Sequence, residues 1–291
     1  METQWPLVIF TLFVCITCGL LGSMSILALK GRGRDLQMTG LITSAVCLVI
    51  GGIGAFLHLE HWERIFNGFG HITSGITQEL VGCVALAVVM VLWFVVLRKG
   101  EDKLPTWLPV VTLIVAVAMV IATGHSYLMP ARAAWGVSLI VFYLCNACML
   151  GPIVLWAIAQ AKGDTEAEGA AINLAFIGAA LQLVGDAIYA VSVAMSSMPD
   201  HGYYADPTAM TTPPPKAVTD LFEVMVSGAA APMFWSAIVC AVIVLVCALV
   251  ARKKAGASKT YLVVAAVAAL AASLFFRVAV YQLGFSVFML Y

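Results

Sequence analysis

"WPLVIFTLFVCITCGLLGSMSILALKGRGR", residues 5–34, decides the fold class. Trp5 to Leu29 carry no charged side chain, and Lys30, Arg32 and Arg34 follow within five residues. As a helix, a run of this length reaches about 38 Å at ~1.5 Å per residue, more than the hydrocarbon thickness of about 30 Å. It is longer than a signal-peptide core and ends without a small-residue cleavage site, so it reads as a retained span. The composition repeats the message: of 291 residues, 63% are hydrophobic and 10% charged, with a mean hydropathy of +1.02. A soluble domain needs more polar surface than that. A net charge of zero gives nucleic acid no footing. The chain therefore reads as an all-α integral membrane protein in which a single membrane-embedded helical bundle, residues 1–291, sits in a lipid bilayer. All eight cysteines fall inside apolar runs, where a free thiol behaves as a small hydrophobe.

Working outward from the first run gives eight transmembrane helices, near 5–29, 36–58, 76–97, 107–128, 134–160, 169–195, 231–251 and 260–290. The long connection, 196–230, contains "PDHGYYADPTAMTTPPPK", which is too polar for lipid and too rich in proline for a helix. A short helix is expected near "AVTDLFEVM", with the rest of the loop serving as a docking segment. Basic residues set the orientation. The first, third, fifth and seventh connections hold Lys30, Arg32, Arg34, Arg98, Lys99, Lys103, Lys162, Arg252, Lys253, Lys254 and Lys259; the even ones hold Arg64, Arg132 and Lys216. This places the odd connections in the cytoplasm, with both termini and the long loop on the outer side.

The loop "HLEHWERIFNGFGHITSGITQE", residues 58–79, gathers three histidines, three carboxylates and one arginine. His58 ends the second span and Glu79 opens the third, so both lie near the outer edge of the hydrocarbon. Oxidation of a quinol needs such a set, because two protons leave with two electrons and each hydroxyl needs an acceptor within reach. An imidazole titrates at about 6.5, which suits His58 as a proton acceptor. Glu79 would take the second proton or orient the second hydroxyl, and Arg64 would support the carboxylate by charge. The same loop also reads as an interfacial segment whose charges are solvated among headgroups.

Other chemistry finds less support. His58 and His61 stand three apart, but no third or fourth ligand has metal-site spacing; no metal is expected. His58 and His125 would be the candidates for one outer haem, and there is no CxxCH for a covalent one. The pairs "CITC" and "CNAC" lack the polar support of a cluster site. Asp186 and Arg277 are ionisable groups inside spans, where charge is costly. They read as a structural pair or as members of a proton path, and Asn146, Asn173 and Gln182 as interhelical hydrogen-bonding groups. A secondary transporter using Asp186 and Arg277 is the alternative of a different class, although the one candidate helix break, "LGPI" at 150–153, has no counterpart in a second repeat.

The start "WPLVIFTLF", "HL" at 58–59, "RIFN" at 64–67, Glu79, "GP" at 151–152 and "RVAVY" at 277–281 together resemble one family: the quinol-oxidising membrane-anchor subunit of the dimethyl sulfoxide reductase family of complex iron–sulfur molybdoenzymes. The resemblance covers nearly the whole chain. It implies a menaquinol site at His58 and Glu79 and no haem; Arg64, Asn67, Asp186 and Arg277 are the candidates for supporting that site. It implies two partners on the outer face: a ferredoxin-like iron–sulfur subunit with four clusters and a molybdopterin catalytic subunit. It also implies a place in the bacterial cytoplasmic (inner) membrane and a role in anaerobic respiration. A quinone-linked anchor of the polysulfide or nitrite reductase type is the near alternative. The chain departs from the family pattern at Glu60 and Trp62, where a glycine and a proline are usual. It departs again at Ser273, where an acid one turn before the last arginine is expected.

Overall fold

The computed structural model describes residues 3–58, 71, 73–99, 104–196, 220–253 and 258–285. The helices are α1 (Trp5–Leu29), α2 (Gln37–His58), α3 (Gly75–Arg98), α4 (Trp107–Ser126), α5 (Ser138–Lys162), α6 (Thr165–Met195), α7 (Leu221–Val226), α8 (Ala231–Lys253) and α9 (Ser258–Gln282). All except α7 are long and apolar enough to cross a membrane, which gives eight candidate spans among the described residues. The outward-facing surface carries Ile42, Val49, Val84, Val91, Ile114, Val239 and Val267, as a lipid-facing surface requires.

Four expected boundaries move. The fifth span begins at Ser138 rather than near 134, because residues 127–137 form a turn instead. The Met129 N–H donates to the Trp135 carbonyl, and the Trp135 indole N–H donates to the Val280 carbonyl. The sixth span begins at Thr165 rather than 169, because the Asp164 carboxylate caps it by accepting from the Ala167 N–H at 2.9 Å. The fourth ends at Ser126 rather than 128. The last helix ends at Gln282 rather than near 290: the Val280 carbonyl accepts from the Trp135 indole, and the Gly284 N–H turns to the Tyr281 carbonyl. Residues 286–290 lie outside the described residues. So do 197–219 of the long loop, Arg64 and Asn67. The short helix expected in "AVTDLFEVM" is α7, with Asp220 accepting from the N–H groups of Phe222 and Glu223.

Helices α1 and α5 form the centre, with α2 and the α3–α4 hairpin on one side and α6, α8 and α9 on the other. The central crossing is made at glycines. A Cβ on Gly19 would stand 2.1 Å from the Ala147 carbonyl oxygen, and one on Gly151 would stand 1.9 Å from the Gly19 carbonyl carbon. Backbones can approach this closely only where side chains are missing, which in a membrane supplies the dispersion contact that holds helices together. Pro152 follows directly and cannot donate to the Cys148 carbonyl one turn earlier. Gly178 of α6 packs onto that freed oxygen, leaving 1.9 Å for a Cβ there. The "LGPI" motif is thus a packing site for two neighbours and not a hinge between repeats.

Candidate functional site

The two buried charged side chains among the described residues, Asp186 and Arg277, lie in the half nearer the start of α1, as does Glu79. Two arrangements occur there, one at the edge and one buried.

At the edge, Glu79 lies one turn into α3, and Ser126 is the last residue of α4. The antiparallel packing of these helices brings Ser126 Oγ to 2.7 Å from Glu79 Oε1 and, at the same time, to 2.8 Å from the Thr123 carbonyl. A serine hydroxyl has one proton to donate and lone pairs to accept. With Glu79 ionised, Ser126 donates to the carboxylate. With Glu79 protonated, the acid donates to Ser126 Oγ, and Ser126 donates to the Thr123 carbonyl. The pair therefore offers a satisfied hydrogen-bond pattern for either protonation state of the carboxyl. His58 ends α2 at this same end of the bundle, with an exposed side chain that makes no hydrogen bond to any described residue. His125, beside Ser126, is also exposed.

The buried arrangement centres on Arg277, which is 2% exposed. All five of its N–H groups are used. Nε donates to Thr11 Oγ1 at 3.0 Å; Nη1 donates to Asn146 Oδ1 at 3.0 Å and to the Ser273 carbonyl at 2.9 Å; Nη2 donates to the Thr11 carbonyl at 3.2 Å and to Cys15 Sγ at 3.3 Å. The guanidinium carbon also lies 5.2 Å from the Tyr143 ring centre and 5.6 Å from that of Phe142, within cation–π range. Arg277 and Asp186 are not a direct ion pair. Their link runs through amides: Asn146 Nδ2 donates to Gln182 Oε1 at 3.0 Å, and Gln182 Nε2 donates to Asp186 Oδ1 at 2.6 Å. Every donor in the chain points from the cation to the carboxylate, an order in which each bond polarises the next. The separation has a steric cause, since Asn146 and Gln182 fill the space between α9 and α6.

The expected interhelical roles of Asn146 and Gln182 hold, and Ser273 explains itself. Its hydroxyl accepts from Asn146 Nδ2 at 2.8 Å while its carbonyl accepts from Arg277. Where an acid one turn earlier would meet the arginine within one helix, this chain links it to a carboxyl of α6 through two amides. Cys15 departs from its reading as a mere hydrophobe, because its sulfur accepts from the guanidinium. Thr11 and Ser126 were missed as well. The one available signal was weak: isolated hydroxyls near the ends of apolar runs, in "IFTLF" and "GHSY".

Above the arginine an aromatic layer closes the bundle. The Tyr127 and Tyr281 hydroxyls stand 3.1 Å apart, Trp135 lies edge-on to Tyr281, and Arg132 covers Trp135. Among the described residues no three His, Cys, Asp or Glu side chains converge to hold a metal ion.

No curated protein matches the chain significantly. The sequence model of one family, the DMSO reductase anchor subunit (DmsC), matches residues 1–283, nearly the entire length. With eight apolar helices packed around a hydrogen-bonded interior and a family match over residues 1–283, the chain belongs to the DMSO reductase anchor subunits.

Proposed function

We propose that this membrane anchor oxidises menaquinol at the end of the bundle where Glu79 lies, and that this end faces outward. Electrons pass to an iron–sulfur subunit and from there to a molybdopterin catalytic subunit, both docked on that face. The observation that carries the reading is the Glu79–Ser126 pair. A quinol hydroxyl approaching Glu79 can give up its proton without leaving a buried donor or acceptor unmatched, because Ser126 reverses its bond as the proton arrives. His58, exposed at the end of the neighbouring α2, takes the proton of the other hydroxyl. Two protons and two electrons leave each quinol, the protons to these two acceptors and the electrons to the partner. Arg64 and Asn67 fall in the loop between the two acceptors and would complete the site. Arg277 has no N–H left for a ligand, so it and Asp186 act by fixing α1, α5, α6 and α9 beneath the site. With the site at the outer edge of the bacterial inner membrane, released protons go outward. The membrane potential is then unaffected if the reductase consumes protons on the same side.

The test is kinetic, on the assembled complex. His58→Ala is expected to lower menaquinol oxidation at least ~10²-fold, the low end for a positioned acid–base group, with assembly retained. Glu79→Gln removes the carboxylate at constant size and is expected to weaken both binding and turnover. Reduction by an artificial soluble donor, which bypasses the anchor, should continue in both. Normal menaquinol oxidation by both variants would overturn the reading.

A further inference from the structure

At the end of the bundle opposite Glu79, where α1 ends and α2 and α4 begin, the chain leaves a cavity of about 350 Å³. Lys30, Arg32, Arg34, Gln37 and Thr106 give its walls three cations, an amide and a hydroxyl, and no carboxylate among the described residues. The turn that carries the cations reverses the chain at two glycines with positive φ, Gly31 at 69° and Gly33 at 67°. Arg32 ties this turn to the start of α6 through an ion pair with Glu166 at 2.7 Å. Gln37 is the informative wall. It is 5% exposed, and its Oε1 accepts from the Trp93 indole N–H at 3.3 Å and from Arg34 Nη1 at 3.5 Å. These two donors fix which end of the amide is oxygen, and the Nε2 end is left without a hydrogen-bond partner among the described residues. A buried donor with no acceptor is costly, so the acceptor has to come from the cavity that Gln37 borders. Lys30 is exposed and makes no ion pair among the described residues. Of the acids nearby, Glu166 is taken by Arg32 and Asp35 is exposed on the same turn; Glu101, Asp102 and Lys103 lie outside the described residues.

We infer that this cavity holds the headgroup of an anionic phospholipid, whose phosphodiester oxygens accept from Gln37 Nε2 and whose negative charge is met by Lys30. A phosphodiester offers the acceptor that Gln37 lacks, and three cationic walls favour a ligand with net negative charge. Position selects a lipid over a soluble anion. Three spans begin or end here, so the cavity lies at the level of the headgroups. Trp107, at the start of α4, is exposed, as suits an indole at the boundary between hydrocarbon and headgroups. Leu29, Leu104 and Pro109 give the cavity an apolar edge, past which acyl chains can leave for the bilayer. Basic pockets between spans hold anionic headgroups in this way. The site does not depend on where quinol binds, since it lies at the other end of the bundle, the cytoplasmic end if Glu79 faces outward.

The assay titrates the delipidated, assembled complex in detergent with phosphatidylglycerol or with phosphatidylcholine and follows bound lipid by native mass spectrometry. Both lipids carry the phosphodiester, and only the first carries a net negative charge. The parent complex is expected to prefer phosphatidylglycerol. Lys30→Gln should weaken phosphatidylglycerol about 5-fold, the worth of one basic residue near an anionic surface, and leave phosphatidylcholine unchanged. Gln37→Met keeps the length of the side chain, removes the amide and should weaken both lipids. Lys253→Gln removes the same charge from the same end of the bundle, on α8 across from the cavity, and should change neither. Equal affinity of the parent for the two lipids overturns the inference. So does an equal loss in Lys30→Gln and Lys253→Gln, which would mean attraction to basic surface in general. Release of phosphatidylglycerol by excess inorganic phosphate would give the cavity to a soluble anion instead. If Gln37→Met fails to assemble, the two exposed lysine variants decide by themselves.

Discussion

Replacing Asn146 with leucine keeps the side chain's size and removes three hydrogen bonds at once. Lost are the acceptor for Arg277 Nη1 at 3.0 Å, the donor to Gln182 Oε1 at 3.0 Å and the donor to Ser273 Oγ at 2.8 Å. Interhelical hydrogen bonds in membranes contribute about 0.6 kcal/mol on average and ~1.7 at most, so three together give roughly 2–5 kcal/mol. The upper part of that range is expected, because an N–H of a buried guanidinium is left facing a methyl group. Asn146 is also the only amide joining Arg277 to Gln182 among the described residues, so the relay to Asp186 ends there. Equilibrium unfolding in bicelles reads the loss directly. Pairing Asn146→Leu with Gln182→Leu then tests whether the residues act as a chain: once the first link is gone, the second substitution should cost clearly less than it does alone. A loss below about 0.5 kcal/mol for Asn146→Leu, or strict additivity of the pair, would refute the relay.

Ser126→Ala removes the group that matches both protonation states of Glu79 and is expected to slow menaquinol oxidation about 10-fold, the worth of one hydrogen bond to a charged group; steady-state kinetics on the complex checks it, and an unchanged rate would show that the carboxyl works without its partner. Gly151→Ala places a Cβ 1.9 Å from the Gly19 backbone and forces α1 and α5 apart; far less chain should accumulate in membranes, measured by immunoblot against Gly52→Ala, whose Cβ meets nothing within 4 Å. With the termini outward, alkaline phosphatase fused after Tyr291 should be active and a fluorescent protein fused there dark. The reverse pattern would invert the side assignment.

Composition alone determined that the chain crosses a bilayer eight times, because every span must satisfy its backbone internally and present about 20 apolar residues to lipid. That constraint acts on each segment separately, so it can be read from Trp5–Leu29 without knowing any neighbour. Where a boundary moved, hydrogen bonds outside the apolar count decided it: Asp164 extended α6 into a polar stretch by capping it, and at the end of α9 the Trp135 indole holds the Val280 carbonyl while the Gly284 N–H turns to Tyr281. The titratable candidates were visible for the same reason, since Glu79, Asp186 and Arg277 stand out in hydrocarbon. Their partners were not. Ser126 lies 47 positions from Glu79, and Thr11 lies 266 positions from Arg277. The helices are apolar almost all round, so periodicity gives no direction in which to turn them. The rotation of each helix was set by where backbones could touch, at Gly19, Gly151 and Gly178, and by the geometry of the hydrogen bonds that result. Only the tertiary structure could therefore turn the expected Asp186–Arg277 pair into a relay through two amides, and set the Ser126 hydroxyl against the Glu79 carboxyl.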